Sequence, residues 1–255
     1  MCYRHDARPP IVPLAGAAID SERLILCAAD DARFMAFAAR GEHSAGPAAV
    51  VLPDLRGLAS FYEELALRLA ENGIDALAID YFGRTTELGS PRGQDFDVQP
   101  HAMATTPVGV AHDVRAAVNY LRDRGVEGRP VFTLGFCFGG AYSWLQAAAG
   151  HGLSGAIGFY GKPVDFRIGK DGGSPIDHVG KYACPVLALQ AGIDDAAPPE
   201  AVAAFEQALT DAQVIHEVIT YEGSPHSFFD RYQKRYQAAS DDAWRRTLEF
   251  IEKYS

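Results

Sequence analysis

The sequence predicts an α/β protein, a mostly parallel sheet with helices on both faces, because short apolar runs alternate with stretches of helical periodicity from about residue 47 onward. The runs themselves point the same way. Residues 47–52 (P-A-A-V-V-L) and 76–79 (A-L-A-I) are continuously apolar, as a strand covered on both faces must be, and lack the in-out alternation of a half-exposed strand. A length of 255 residues suits one such unit, and no linker or internal repeat divides it, so a single domain over 1–255 is expected.

The elements follow in chain order. Residues 1–20 form an N-terminal arm containing several prolines, after which 23–28 and 34–38 read as two strands around the turn-like A-D-D-A, an opening hairpin. Strand 47–52 leads to a helix marked by Phe61, Leu65 and Leu69, which stops at E-N-G, where Gly73 can take a left-handed cap conformation, and then to strand 76–79. Val114, Val118 and Leu121 mark the next helix, followed by strand 131–134, helix 142–149 and strand 153–159. Strand 185–190, helix 199–209, strand 214–221 and a helix carrying Trp244, Leu248 and Ile251 complete the series. Residues 84–107 and 161–183 break the alternation. Loops of that length in a compact domain are usually functional, and both follow strand ends, where open α/β sheets bind ligands, so both are expected over an active site.

Composition narrows the function. The chain is 48% apolar and 22% charged, ordinary for a folded soluble domain, and its net charge of −10 comes with no lysine or arginine block, so nucleic acid is not an expected partner and a small molecule is. The first residues, M-C-Y-R-H-D-A-R-P-P, have no apolar run after their charges, and no segment approaches ~20 consecutive apolar residues, which gives a cytoplasmic, non-membrane expectation. Cys2, Cys27, Cys137 and Cys184 are far apart with no C-x-x-C spacing, so neither a zinc site nor a disulfide framework is indicated, and no metal or cofactor is expected.

The chemistry centres on residues 135–139, G-F-C-F-G. This is the G-x-nucleophile-x-G form of a sharp strand-to-helix turn, whose flanking glycines remove side chains that would collide. A thiol there sits at a helix N-terminus, where unpaired N–H groups and the helix dipole favour its thiolate. Phosphate cradling is the weaker reading, since G-x-G-x-x-G and G-K-[ST] are both absent. A nucleophile of this kind needs a base and an acid to orient the base, and in this turn's fold they follow it in the order acid, histidine. Residues 189–195 (L-Q-A-G-I-D-D) leave a predicted strand at two carboxylates, Asp194 and Asp195, with Asp194 nearer the strand end. Residues 221–227 (Y-E-G-S-P-H-S) leave the last strand at His226, whereas His216 lies within that strand and His112 at the start of a helix.

With these residues the chain, from about residue 47 to its C-terminus, resembles the dienelactone hydrolases (carboxymethylenebutenolidases) of the α/β-hydrolase fold. The resemblance rests on the G-F-C-F-G-G-A turn, the A-G-I-D-D-A-A-P acid loop and the Y-E-G-S-P-H-S-F histidine loop. It implies that Cys137 attacks an ester or lactone carbonyl, His226 shuttles the proton, Asp194 orients His226, and the backbone N–H groups of Leu55 and Phe138 form an oxyanion hole. It further implies a thiol-priming carboxylate after the third strand, where Asp54 stands in place of a glutamate, and two arginines for a substrate carboxylate. Arg84 matches one; the other position, four residues after the histidine, holds Asp230, an acid that would repel an anionic lactone. A thiol-dependent ester or lactone hydrolase working through an acyl-cysteine is therefore expected. The alternative is a non-hydrolytic relative that binds, rearranges or cyclises a hydrophobic metabolite with the thiol idle.

Overall fold

The chain runs through β1 (Ile19–Cys27), β2 (Arg33–Gly41), β3 (Ala48–Leu52), α1 (Ser60–Glu71), β4 (Asp75–Ile79), α2 (Val98–Ala104), α3 (Pro107–Asp123), β5 (Val131–Phe136), α4 (Phe138–Gln146), β6 (Gly155–Phe159), β7 (Val186–Ile193), α5 (Pro199–Asp211), β8 (His216–Pro225) and α6 (Gln237–Lys253). The computed structural model describes residues 6–17, 19–41, 46–93, 95–125, 127–166 and 172–255. Cys2, the start of the predicted N-terminal arm and residues 167–171 of the second predicted loop lie outside them. All eight strands join one sheet in the order β1-β2-β4-β3-β5-β6-β7-β8. Only β2 runs against its neighbours, β1 and β4; every other pairing is parallel.

Pleating sends successive residues of a strand to opposite faces, and the apolar runs supply both. On one face Val51, Leu134, Ile157 and Leu187 meet Phe61, Leu65 and Leu69 of α1 and Phe250 and Ile251 of α6. On the other, Val50, Leu52, Leu77 and Ile79 meet Val114, Val118 and Leu121 of α3 and Ala141 and Leu145 of α4. Each fully buried aliphatic side chain contributes about 1.5–3 kcal/mol, which is why β3, β4, β5 and β6 contain no exposed residue. In α6 the buried stripe is carried by Ala243, Thr247, Phe250 and Ile251, with Trp244 and Leu248 only partly covered. Among the described residues, no helix is long and apolar enough to cross a membrane.

The two irregular stretches contain local structure too short for periodicity to reveal. Residues 81–84 form a 3₁₀ turn, α2 follows, and α3 starts at Pro107, with Thr106 accepting a bond from the Gly109 N–H at 3.0 Å as its N-cap. Residues 175–181 form another 3₁₀ turn behind a Ser174–Asp177 capping box.

From β3 the chain proceeds to β4 on one side and later to β5 on the other, so strand order reverses between β3 and β5. Ligands in open α/β sheets bind outside the C-terminal ends of the strands at such a point. Here β5 and α4 are separated by one residue, Cys137. The turn closes because its glycines allow backbone to touch backbone: a Cβ on Gly135 would lie 1.9 Å from the Gly139 carbonyl oxygen, and one on Gly139 would lie 2.1 Å from that of Leu52 and 2.3 Å from that of Pro53. Neither neighbour is a side chain that could swing away. Gly139→Ala is therefore expected to destabilise the fold by roughly 3 kcal/mol, the upper end for an overpacked site, read as a lowered urea midpoint at unchanged m-value; a wild-type midpoint would show that β3 and α4 can separate at no cost.

Candidate active site

Cys137 has φ 55° and ψ −113°, a conformation L-residues rarely adopt. It persists because surrounding hydrogen bonds over-determine it. The Cys137 N–H donates to the Phe159 carbonyl at 2.9 Å, and the Cys137 carbonyl accepts from the N–H groups of Gly140 at 3.0 Å and Ala141 at 3.2 Å. The residue is partly exposed, unlike Cys184, whose thiol is pushed up to about 12 by burial. Phe138 opens α4, so its N–H belongs to the first turn, where helix donors lack intrahelical acceptors. Leu55 follows β3, whose end is held against α4 by the Gly139 contact.

His226 follows β8 directly. Its Nδ1 lies 2.6 Å from Asp194 Oδ2 across an interval of 32 residues, while Asp194 Oδ1 accepts from the Ala196 N–H at 2.9 Å. Of the two adjacent acids, Asp194 makes this contact and is nearly buried, whereas Asp195 is exposed. The His226 ring rests against Tyr160, centroids 4.9 Å apart. Tyr160 has φ 37° and is pinned by its N–H to the Leu189 carbonyl at 2.8 Å; burial holds its hydroxyl well above the usual range and hence protonated. Cys137 bonded to Phe159 and His226 packed on Tyr160 converge on the end of β6. The two competing histidines are elsewhere: His216 Nδ1 is 2.7 Å from the Val214 carbonyl at the opposite end of β8, and His112 Nδ1 is 3.2 Å from Asp30.

Both irregular stretches deliver rings to this edge of the sheet. Phe166 lies 5.8 Å from Phe138 and 5.3 Å from Tyr142, while Phe96 and His101, stacked at 4.9 Å, lie against Phe82, itself 6.5 Å from Phe138. These are ordinary aromatic pair distances.

The charged residues implied by resemblance have partners of their own. Arg84 is doubly forked: Nε and Nη2 reach Asp113 at 2.9 and 2.8 Å, and Nη1 and Nη2 reach Asp30 at 2.7 and 3.1 Å. Asp113 is wholly buried, and burial pushes its carboxyl up to about 6 against the pull of Arg84. The expected substrate clamp is thus neutralised by two carboxylates of the protein. Asp54 directs both carboxylate oxygens to Arg56, accepting from Nε at 3.0 and 3.1 Å, from Nη2 at 2.9 Å and from the Arg56 N–H at 2.8 Å. Arg56 also donates through Nη2 to Asp230 Oδ2.

Asp54, Arg56 and Asp230 are 4%, 1% and 2% exposed. Asp230 therefore does not confront substrate as the expected repelling acid; it turns inward to a cation. Arg56 was not singled out by the sequence, because an arginine in D-L-R-G reads as a solvated turn residue. The only signal was two acids, Asp54 and Asp230, where cationic or thiol-facing groups were implied. Burial pushes the Asp230 carboxyl up to about 7, with Arg56 opposing and Asp54 adding to the shift. Since that value lies above the ordinary 3.8, the bound proton stabilises the fold fully below about pH 4, and this contribution is lost as pH rises through about 7. In urea titrations the wild-type midpoint should accordingly fall relative to Asp230→Asn between pH 4.5 and 7.5; parallel profiles would place the titration on another group.

Comparison with known proteins agrees with this architecture. The profile of the Dienelactone hydrolase family matches residues 34–255. The chain is 31% identical over 227 residues to an Escherichia coli O157:H7 protein provisionally named a carboxymethylenebutenolidase, covering 86% of this chain and 82% of that one. It is 30% identical over 224 residues to a carboxymethylenebutenolidase of Rhodococcus opacus, covering 85% and 84%. The crystal structure of a protein from Klebsiella pneumoniae subsp. pneumoniae MGH 78578, provisionally titled a dienelactone hydrolase, superposes with a TM-score of 0.81 at 24% identity over 93% of this chain and 100% of that one, a likeness of fold. The chain belongs to the dienelactone hydrolase family, with an α/β-hydrolase-type fold, and is a hydrolase of the ester and lactone class.

Proposed function

We propose that the protein hydrolyses a small carboxylic ester or enol-lactone through an acyl-cysteine intermediate, with Cys137 as nucleophile, His226 as general base and acid, and Asp194 as the group that orients His226. The observations that support this reading are the strained one-residue turn at Cys137 and, directly past β8, a histidine whose Nδ1 is fixed 2.6 Å from a nearly buried carboxylate. That contact sets the imidazole so that Nε2 can take the thiol proton.

The thiolate adds to the carbonyl carbon, and the negative charge on the former carbonyl oxygen meets the N–H groups of Leu55 and Phe138. Such donors, aimed where charge develops, are worth about 2.7–4 kcal/mol each. Collapse expels the alkoxide or enolate, which takes the proton held by His226. A water molecule, deprotonated by His226, then attacks the thioester and releases the acid and the free thiol.

Activation of the thiol is assigned to His226 and the helix N-terminus. Asp54, with both oxygens on Arg56, is assigned no priming role. Arg84 is likewise compensated, and the rings of Phe138, Phe166 and Tyr142 are buried in the core, so substrate recognition is assigned to the segments 84–107 and 161–183. With Arg84 held by Asp30 and Asp113, no carboxylate is required on the ester or lactone.

Cys137→Ala is expected to remove turnover of aryl esters and lactones by roughly 10⁴-fold or more, with the circular dichroism spectrum unchanged; residual wild-type turnover would refute the assignment. Asp194→Asn should lower kcat by roughly 10⁴-fold through the wrong imidazole tautomer, whereas Asp195→Asn should leave it near wild type. For substrate choice, matched esters with and without a carboxylate should show kcat/KM within about tenfold; a preference of hundreds for the carboxylated member would restore an anion site.

A further inference from the structure

Arg56 bridges two loops that the sheet keeps apart. In strand order β3 and β8 are separated by β5, β6 and β7, so at roughly 4.8 Å per strand their ends stand about 19 Å apart. The segment after β3 nevertheless sends Arg56 to Asp230, 174 residues on in sequence and four residues beyond His226. This contact passes across the ends of the strands that lead to Cys137 and Asp194.

Leu55 lies between the two residues that anchor this loop. Upstream, the Tyr81 hydroxyl donates to the carbonyls of Pro53 and Asp54, the latter at 3.2 Å, and the Asp54 N–H donates to the Tyr62 hydroxyl at 2.9 Å. Downstream, the buried Arg56 side chain lies over the rings of Phe61 at 4.8 Å and Tyr62 at 5.2 Å, forks onto Asp54 and reaches Asp230. Two carboxylates around one guanidinium match its planar array of donors, which a lysine cannot reproduce. On the far side, the N–H groups of Asp230 and Tyr232 return to the Ser227 carbonyl at 3.1 and 3.2 Å, making a compact turn directly after His226.

We propose that Arg56 is a positioning residue, which together with Asp54 and Asp230 locks the Leu55 N–H in register with the histidine loop so that the oxyanion forms within reach of its donor. The proposal rests on the reading of Cys137, His226 and Leu55 given above. It assigns Arg56 no contact with substrate; its effect travels through the backbone on one side and the turn after His226 on the other.

The test separates the oxyanion site from the thiol. Alkylation of Cys137 by iodoacetamide is displacement at a saturated carbon and develops no oxyanion, so it reads the thiol and His226 without Leu55. Arg56→Lys keeps the charge and loses the fork, and in the full chain it should lower kcat for an aryl acetate roughly 30–100-fold, the scale of a displacement near 1 Å. KM, the alkylation rate and its pH profile should stay within about twofold of wild type. Asp230→Asn, which keeps the side chain's shape, should lower kcat less, with the same invariance, and carries the test if Arg56→Lys does not fold. Wild-type kcat in a folded variant would overturn the proposal, as would an alkylation rate falling in step with kcat. Failure of the underlying triad reading looks different: wild-type alkylation would be independent of His226, or Cys137→Ala would retain turnover.

Discussion

The contact between the end of β3 and the first turn of α4 is the constraint on which the site depends. Backbone meets backbone there with no side chain between, through Gly139 against the carbonyls of Leu52 and Pro53. The approach lets a single residue join β5 to α4, forces Cys137 to φ 55°, and brings the Leu55 turn to the same end of the sheet. The apolar runs of the central strands make this tolerable. Because β3 and β5 are buried throughout, the energy that holds the sheet together far exceeds the few kcal/mol stored in one strained residue.

Around this rigid centre the protein uses buried and half-buried arginines to tie down segments that are not themselves strands. Arg129 joins Asp75 at 2.8 Å, linking the entrances to β5 and β4; Arg92 joins Asp80 within the stretch before α2; and Arg84 draws the turn after β1 and the first turns of α3 together. A buried arginine needs compensating carboxylates, because its uncompensated charge costs several kcal/mol to desolvate. The excess of acids over bases in the chain is thus partly internal. These pairs contribute geometry more than net stability, since an apolar replacement of equal shape can be as stable.

The parts of this fold that were legible in the sequence are those set by local periodicity or by backbone need. Continuous apolar runs marked the central strands, i, i+4 stripes marked α1 and α3, and G-x-C-x-G marked the turn at Cys137 because only glycine permits that approach. Strand ends located His226 and the Asp194–Asp195 pair, since ligands on such a sheet bind outside that edge. The partners of the charged residues were not legible. Whether Asp230 faces a ligand or an arginine depends on a contact 174 residues away, and nothing local to either residue encodes it. Arg84 shows the same limit: a guanidinium matched in position to a substrate clamp turned out to be held by Asp30 and Asp113, which come from the turn after β1 and from α3. Short helices such as α2, with seven residues, fall below the length at which periodicity can be read.

The Asp54–Arg56–Asp230 group also bears on how the sequence can change over time. Asp54 and Arg56 balance each other in a space with almost no water, with Asp230 completing the contacts of the guanidinium, so replacing either Asp54 or Arg56 strands the charge of its partner. Drift at these positions is therefore coupled. A lineage that loses the arginine after β3 must acquire a cation elsewhere in the same space or shed the charge of Asp54, and an arginine in the histidine loop facing an acid after β3 would satisfy the same charge balance with the roles exchanged. Positions 54, 56 and 230 are thus constrained together, by one buried charge balance and one set of guanidinium contacts.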